Sequence, residues 1–232
     1  MEKDDAFVKF NKLREQIIGN ADYMKIYDEA RGLHRRVLES LYKFYLKHED
    51  EVELLPSNHE VNSVLEVKTI DLTDNFNNNF ISKVHLYLGK YHGQSLIQHV
   101  INNGTNDVKL NWMFNYVKKS FYSIFEIVSA TPELAIVIVR DMIRGGEYTI
   151  VDRTLSIYAG IDEYKNNYYI CAQLTQYETV FFFDCTVAID KDNKEVIQFI
   201  EQADSDIEQS QIAIFCLLHK TKKVKFQTNG QG

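Results

Sequence analysis

The sequence predicts an α+β fold: a helical N-terminal half followed by a small antiparallel β-meander closed by C-terminal helices. Three observations predict it. Apolar residues recur at three-and-four spacing through most of the first 145 residues, which puts them on one face of successive helices. Beyond Gly146 the chain turns to aromatic and β-branched runs joined by short polar connections, the texture of paired strands. Proline occurs only twice in 232 residues, so few of its turns are imposed by a locked backbone angle.

Residues 3–18 and 20–49 read as helices. In the second, Tyr23, Ile26, Tyr27, Ala30, Leu33, Val37, Leu41, Phe44 and Tyr45 form one apolar face, with His34 and His48 on or beside it. Pro56 turns the chain, because the residue before a proline avoids the helical region. Residues 61–72 read as a strand, and TDNFNNNF as a helix start. His85, His92 and His99 are each seven residues apart, which on a straight helix separates them by about 10 Å along the axis. Imidazoles bound to one metal must all reach it at about 2 Å, so this trio is not a metal site. The apolar face also switches sides near Gly89 and Gly93, which predicts a break there.

Residues 107–130 are expected to be helical through Leu110, Phe114, Val117, Phe121, Phe125 and Val128. Thr131-Pro132-Glu133 signals a further helix over LAIVIVRDMIR, stopped at Gly145-Gly146. Residues 147–159, 168–175 and 179–189 are the three expected strands, and 193–203 and 205–219 return to helical spacing. This gives a mainly helical region over 1–145, an antiparallel sheet with covering helices over 146–220, and a flexible tail over 221–232. One continuous domain would accommodate all three.

Composition narrows the function classes. A formal charge of −7 makes nucleic acid an unlikely partner, since phosphate binding rests on excess Lys and Arg. Cys171, Cys185 and Cys216 are widely spaced and odd in number, so neither a disulfide framework nor a zinc site is expected, and each reads as a buried free thiol. The acidic start MEKDDAFVKF is no signal peptide. The longest apolar run, LAIVIV, is stopped by Arg140 and Asp141, far short of the ~20 residues a membrane helix needs. A cytoplasmic protein with no membrane contact is the expectation.

Phosphate-binding glycine loops, nucleophile elbows, HExxH and EF-hand loops are all missing. Chemistry is therefore sought among carboxylates placed in apolar strands, where an unpaired charge is costly. Asp184 stands in FFFDC and Asp152 interrupts the first strand. The structural reading pairs Asp184 with Arg153 or a backbone cap. The functional reading makes Asp152 and Asp184 an acidic pair able to hold a divalent ion or move a proton. With Glu163 and Lys165 the set resembles the minimal Asp and acid-x-Lys pattern of restriction-type nuclease cores. That resemblance covers three residues, and it implies two metal-holding acids and a lysine that assists the attacking water. In that family the acid-x-Lys lies on a strand, whereas Glu163 and Lys165 fall in an apparent hairpin loop.

The leading expectation is a non-catalytic cytoplasmic protein without a cofactor, acting on another macromolecule. A protein partner or self-association, as a homodimer, fits best. An exposed Tyr/Phe patch on helix 20–49 or 107–130 would serve such binding. The alternative is a metal-dependent hydrolase or nuclease using Asp152, Asp184, Glu163 and Lys165.

Overall fold

A computed structural model describes residues 22–53, 86–87, 89–104 and 106–202, apart from the side chains of residues 185, 187 and 195. The readings for 3–18, 61–72, TDNFNNNF, His85, 205–219 and the tail lie outside those residues. Helix α1 spans Tyr23–Lys47 and buries Tyr27, Ala30, Leu33, His34, Val37, Leu38, Leu41 and Tyr45. Those positions repeat at three and four, so one stripe faces the core and the charged residues face water. A 3-10 turn at Glu49–Glu51 leads into β1, Val52–Glu53, which pairs with the hairpin of β2, Lys90–Tyr91, and β3, Gln94–Ser95.

The expected break at Gly89–Gly93 is this hairpin. His92 and Gly93 form its turn with φ of 49° and 76°, the pairing of positive angles that two-residue hairpins require. Helix α2, Leu96–Asn103, starts where the Ser95 hydroxyl accepts from the Gln98 N–H at 3.3 Å. Leu96 and Ile97 are buried, and Val100 and Ile101 pack on the same core. Helix α3, Val108–Lys119, is capped by Asp107, which accepts from the Leu110 N–H at 3.1 Å and pairs with Arg36 at 2.7 Å. These three helices pack on one another as a layer.

The layer rests on a closed barrel. Its strands are β4 (Phe121–Thr131), β5 (Ile136–Asp141), β6 (Glu147–Val151), β7 (Tyr168–Tyr177) and β8 (Val180–Asp190), joined in the order β4-β5-β6-β8-β7. All pairings are antiparallel except β6 with β8, which meet in parallel at Ile150 and Phe181. The barrel is of the OB type, a five-stranded Greek-key closure. Phe125, Ile127, Val137, Val139, Ile150, Ile170, Ala172, Leu174 and Phe183 fill it. Between β6 and β7, α4 (Arg153–Ala159) and α5 (Asp162–Asn167) cross one end, where Leu155 and Ala159 of α4 join the interior. Tyr122, Ile124, Cys171, Tyr177 and Phe182 face the helical layer instead. Helix α6, Lys194–Gln202, follows β8 and buries Val196 against that layer.

Several sequence expectations give way here, each for a physical reason. The mixed α+β class holds, but the sheet is a barrel rather than a three-strand meander. Residues 107–130 are not one helix: α3 ends at Lys119 and β4 begins at Phe121. Phe121 and Phe125 are four apart, and four is a multiple of two, so one face of a strand imitates one turn of a helix. Thr131-Pro132-Glu133 does start a helix, but only a 3-10 turn over Pro132–Leu134, ended by Ala135 at φ 55°. IVIVRD beyond it is strand β5, buried on both faces over Ile136–Val139, and such strands read as unbroken apolar runs. Gly145 and Gly146, at φ 76° and 89°, turn β5 into β6 rather than stopping a helix. The expected strand 147–159 ends at Val151, and GIDEYKNN holds helix α5 rather than a hairpin loop. The barrel therefore runs across the change of texture at residue 146. Among the described residues no helix is long and apolar enough to cross a membrane.

Candidate functional site

Asp184 projects from β8 toward α1, on the side of the strand opposite Phe183. It is 5% exposed. Two α1 residues one turn apart meet it: Arg31 Nη1 lies 3.6 Å from Oδ1 and His34 Nδ1 lies 3.7 Å from Oδ2. Both distances exceed hydrogen-bond length, and Arg31 brings a positive charge to the carboxylate. Arg31 also donates to the Phe183 carbonyl at 2.9 Å, which fixes the guanidinium beside the carboxylate. His34 Nε2 and the Tyr87 hydroxyl share a hydrogen bond of 2.9 Å, its direction set by the imidazole tautomer. The result is a buried Tyr–His–Asp line with one solvent-facing end at Arg31, whose side chain is 42% exposed.

Asp152 sits at the other side of Arg31. It is the N-cap of α4, with Oδ1 accepting from the Leu155 N–H at 2.8 Å. Burial pushes its carboxyl above the usual range, opposed by the Leu155 N–H and the Arg31 charge, with Asp184 adding a smaller upward push. The two aspartates expected to act together thus feel one another's charge, with Arg31 acting on both. The other two residues of the set do not join them in a metal-type cluster. Glu163 is exposed on α5, and Lys165 donates to Asp162 at 2.9 Å. Among the described residues no three His, Cys, Asp or Glu side chains are placed to hold a metal ion. The expected Asp184–Arg153 pair is also replaced: Arg153 pairs with Asp28 at 2.9 Å, because α4 points it outward.

A second cluster forms where the β2–β3 hairpin meets the end of α1. Glu51 receives His48 Nδ1 on one oxygen and His92 Nε2 on the other, each at 3.3 Å, and the Tyr91 hydroxyl donates to it at 3.3 Å. His48, above all, holds the Glu51 carboxyl below its ordinary range. The Tyr91 ring touches the rings of His48, His92 and His99 at centroid distances of 4.8, 4.1 and 4.8 Å. Two of the evenly spaced histidines, His92 and His99, do meet, through Tyr91 rather than along one helix.

Among the described residues, exposed apolar side chains cluster on α4 and the turn after it. Ile157 is 61% exposed, Tyr158 38% and Ile161 51%, all within five residues on α4 and the turn after it. The Tyr158 ring meets that of Tyr164 on α5 at a tilt, with centroids 5.6 Å apart. Trp112 and Val108, one turn apart on α3, are also more than half exposed. The aromatic residues of α1 are buried or half-buried, so exposed apolar surface lies on α4 and, within the expected 107–130 region, on α3. In OB barrels, strands two and three and the flanking loops commonly take oligonucleotides. Here those strands are β5 and β6, and their exposed cation Arg140 is held by Glu126 at 3.3 Å and Glu147 at 2.9 Å.

A model of one protein family, described as a family of unknown function (DUF7986), matches residues 20–224. The chain belongs to DUF7986. No curated protein and no solved structure matches it. The DUF7986 match takes in the whole barrel, the helical layer and every described residue of both clusters. Within that DUF7986 span, Asp152 and Asp184 were legible because a carboxylate inside an apolar run must find a partner. Arg31 and Tyr87 were missed. Arg31 acts where α1 crosses β8, 152 residues along the chain, and Tyr87 meets His34 across 53 residues; no local spacing signals either contact.

Proposed function

We propose that this protein acts by binding another protein through the apolar surface of α4 and its following turn. The observation that carries the reading is the group Ile157, Tyr158 and Ile161, exposed together while the same helix turns Leu155 and Ala159 into the barrel. Contiguous apolar surface in water is unfavourable, and where it persists it marks an interaction site. The acidic balance of −7 and the Glu-bound Arg140 favour a protein partner over nucleic acid. A second copy of the chain is one such partner, and a reducing cytoplasm is the compartment that suits a buried thiol such as Cys171.

The reading is tested with an Ile157→Ser, Ile161→Ser double variant. Both side chains are more than half exposed, so stability should shift by no more than about 0.5 kcal/mol per site. The wild type is expected to gain mass with concentration in sedimentation, or to retain a specific protein in affinity capture, and the double variant to lose either property. Equal behaviour of the two proteins in both measurements would sink the proposal. The hydrolase alternative has less behind it: Asp152 caps a helix, Asp184 is paired with α1, and Lys165 is engaged by Asp162.

A further inference from the structure

The barrel end away from α4 opens into a cavity of about 320 Å³, lined by Tyr116, Lys119, Phe121, Leu174, Gln176 and Phe181. It forms because α3 ends at Lys119 and the chain enters β4 two residues later, which holds Tyr116 and Lys119 over the barrel mouth. Four of its six walls are apolar or aromatic, and Phe121 and Phe181 both reach the Tyr148 ring, at 6.2 and 5.9 Å, forming an aromatic rim. Its size sits at the lower end of ligand pockets, roughly 300–1,000 Å³, which suits a molecule of one or two rings.

Two cations attend this mouth. Among the described residues Lys119 makes no hydrogen bond or ion pair. On the other side of the Phe121 ring, the Arg144 guanidinium lies 4.3 Å from the centroid. Arg144 gives Nη1 to the Tyr122 carbonyl at 3.0 Å, yet its buried Nε and Nη2 have no hydrogen-bond partner. Arg144 is neutralised by the buried Asp141, whose Oδ2 lies 3.6 Å from Nη1, so the charge left for a ligand at this mouth is that of Lys119. This end of the barrel thus presents an aromatic mouth with the Lys119 ammonium on its wall.

We propose that the open end of the barrel is a binding site for a small organic anion with a flat apolar body, of the aromatic-acid class. The ring lies among Tyr116, Phe121 and Phe181, and the anionic group meets Lys119. This site is at the opposite end of the barrel from the α4 patch, so the two proposals stand or fall separately.

The probe is anilinonaphthalene sulfonate, a two-ring sulfonate, compared with its neutral counterpart N-phenylnaphthylamine by fluorescence titration. Saturable one-to-one binding of the sulfonate is expected. Lys119→Met should weaken it about tenfold, the loss of one charge-assisted contact, while leaving the neutral amine unchanged. Gln176→Trp, at an exposed rim position, should fill the mouth and weaken both probes. The Ile157→Ser, Ile161→Ser variant should bind as wild type, which separates this site from the patch. Thermal melts confirm that each variant is folded. Non-saturable binding, or binding indifferent to both mouth variants, overturns the site. Equal weakening of both probes by Lys119→Met overturns the anionic class.

Discussion

Asp152 holds two opposed roles. Its carboxylate caps α4 through the Leu155 N–H, and burial at the same time disfavours the charge that makes it a strong acceptor. Asn caps almost as well as Asp and carries no charge. Burial raises the folded-state carboxyl above its unfolded value. A group of that kind contributes stability that is complete below the unfolded value, about 3.9, and is lost as pH rises through the folded one. Asp152→Asn is therefore expected to melt higher than wild type near neutral pH, with the gap closing as pH falls toward about 4. Thermal melts across that range check it, and a variant that melts lower at neutral pH would show that pairing with Arg31 outweighs burial. Sequence reasoning could find Asp152 because its cost is local. It could not tell cap from catalyst, since that depends on which N–H the carboxylate meets.

Among the elements, two glycines with opposite geometry make one contrast. Gly93 turns the β2–β3 hairpin at φ 76°, and a Cβ there meets nothing within 4 Å, so only the backbone resists it. Gly32 lies exposed in the middle of α1 with nothing within 4 Å and no positive φ. Gly93→Ala should cost about 1 kcal/mol, because the left-handed region is strained for any residue with a Cβ. Gly32→Ala should gain about 0.5–1 kcal/mol by lowering the entropy lost on helix formation. Urea denaturation of both variants reads the signs, and like signs would contradict the geometry. The helix α1 was readable because its stripe runs for seven turns without interruption. Strands β4 and β5 were not, since Phe121 and Phe125 satisfy either period and a strand buried on both faces has no period at all.

On the scale of the whole molecule, the two ends of the barrel are unlike. One is sealed by α4, whose outer side is the apolar patch, and the other is left open beneath the end of α3. Closure was illegible in the sequence because it joins β4 to β7, Phe121 beside Leu174, and depends on α4 and α5 carrying the chain across from β6. The β7–β8 hairpin is paired along nearly its full length from Tyr168–Asp190 to Tyr177–Val180. The parallel junction of β6 with β8 rests on Ile150 and Phe181 alone. A cylinder is only as continuous as its thinnest seam. Local opening should begin there. Backbone amides around Ile150 and Phe181 are expected to exchange with deuterium through low-energy fluctuations, while those of Ile170 to Leu174 wait for global unfolding. Uniform exchange across all five strands would mean instead that the barrel opens only as one unit.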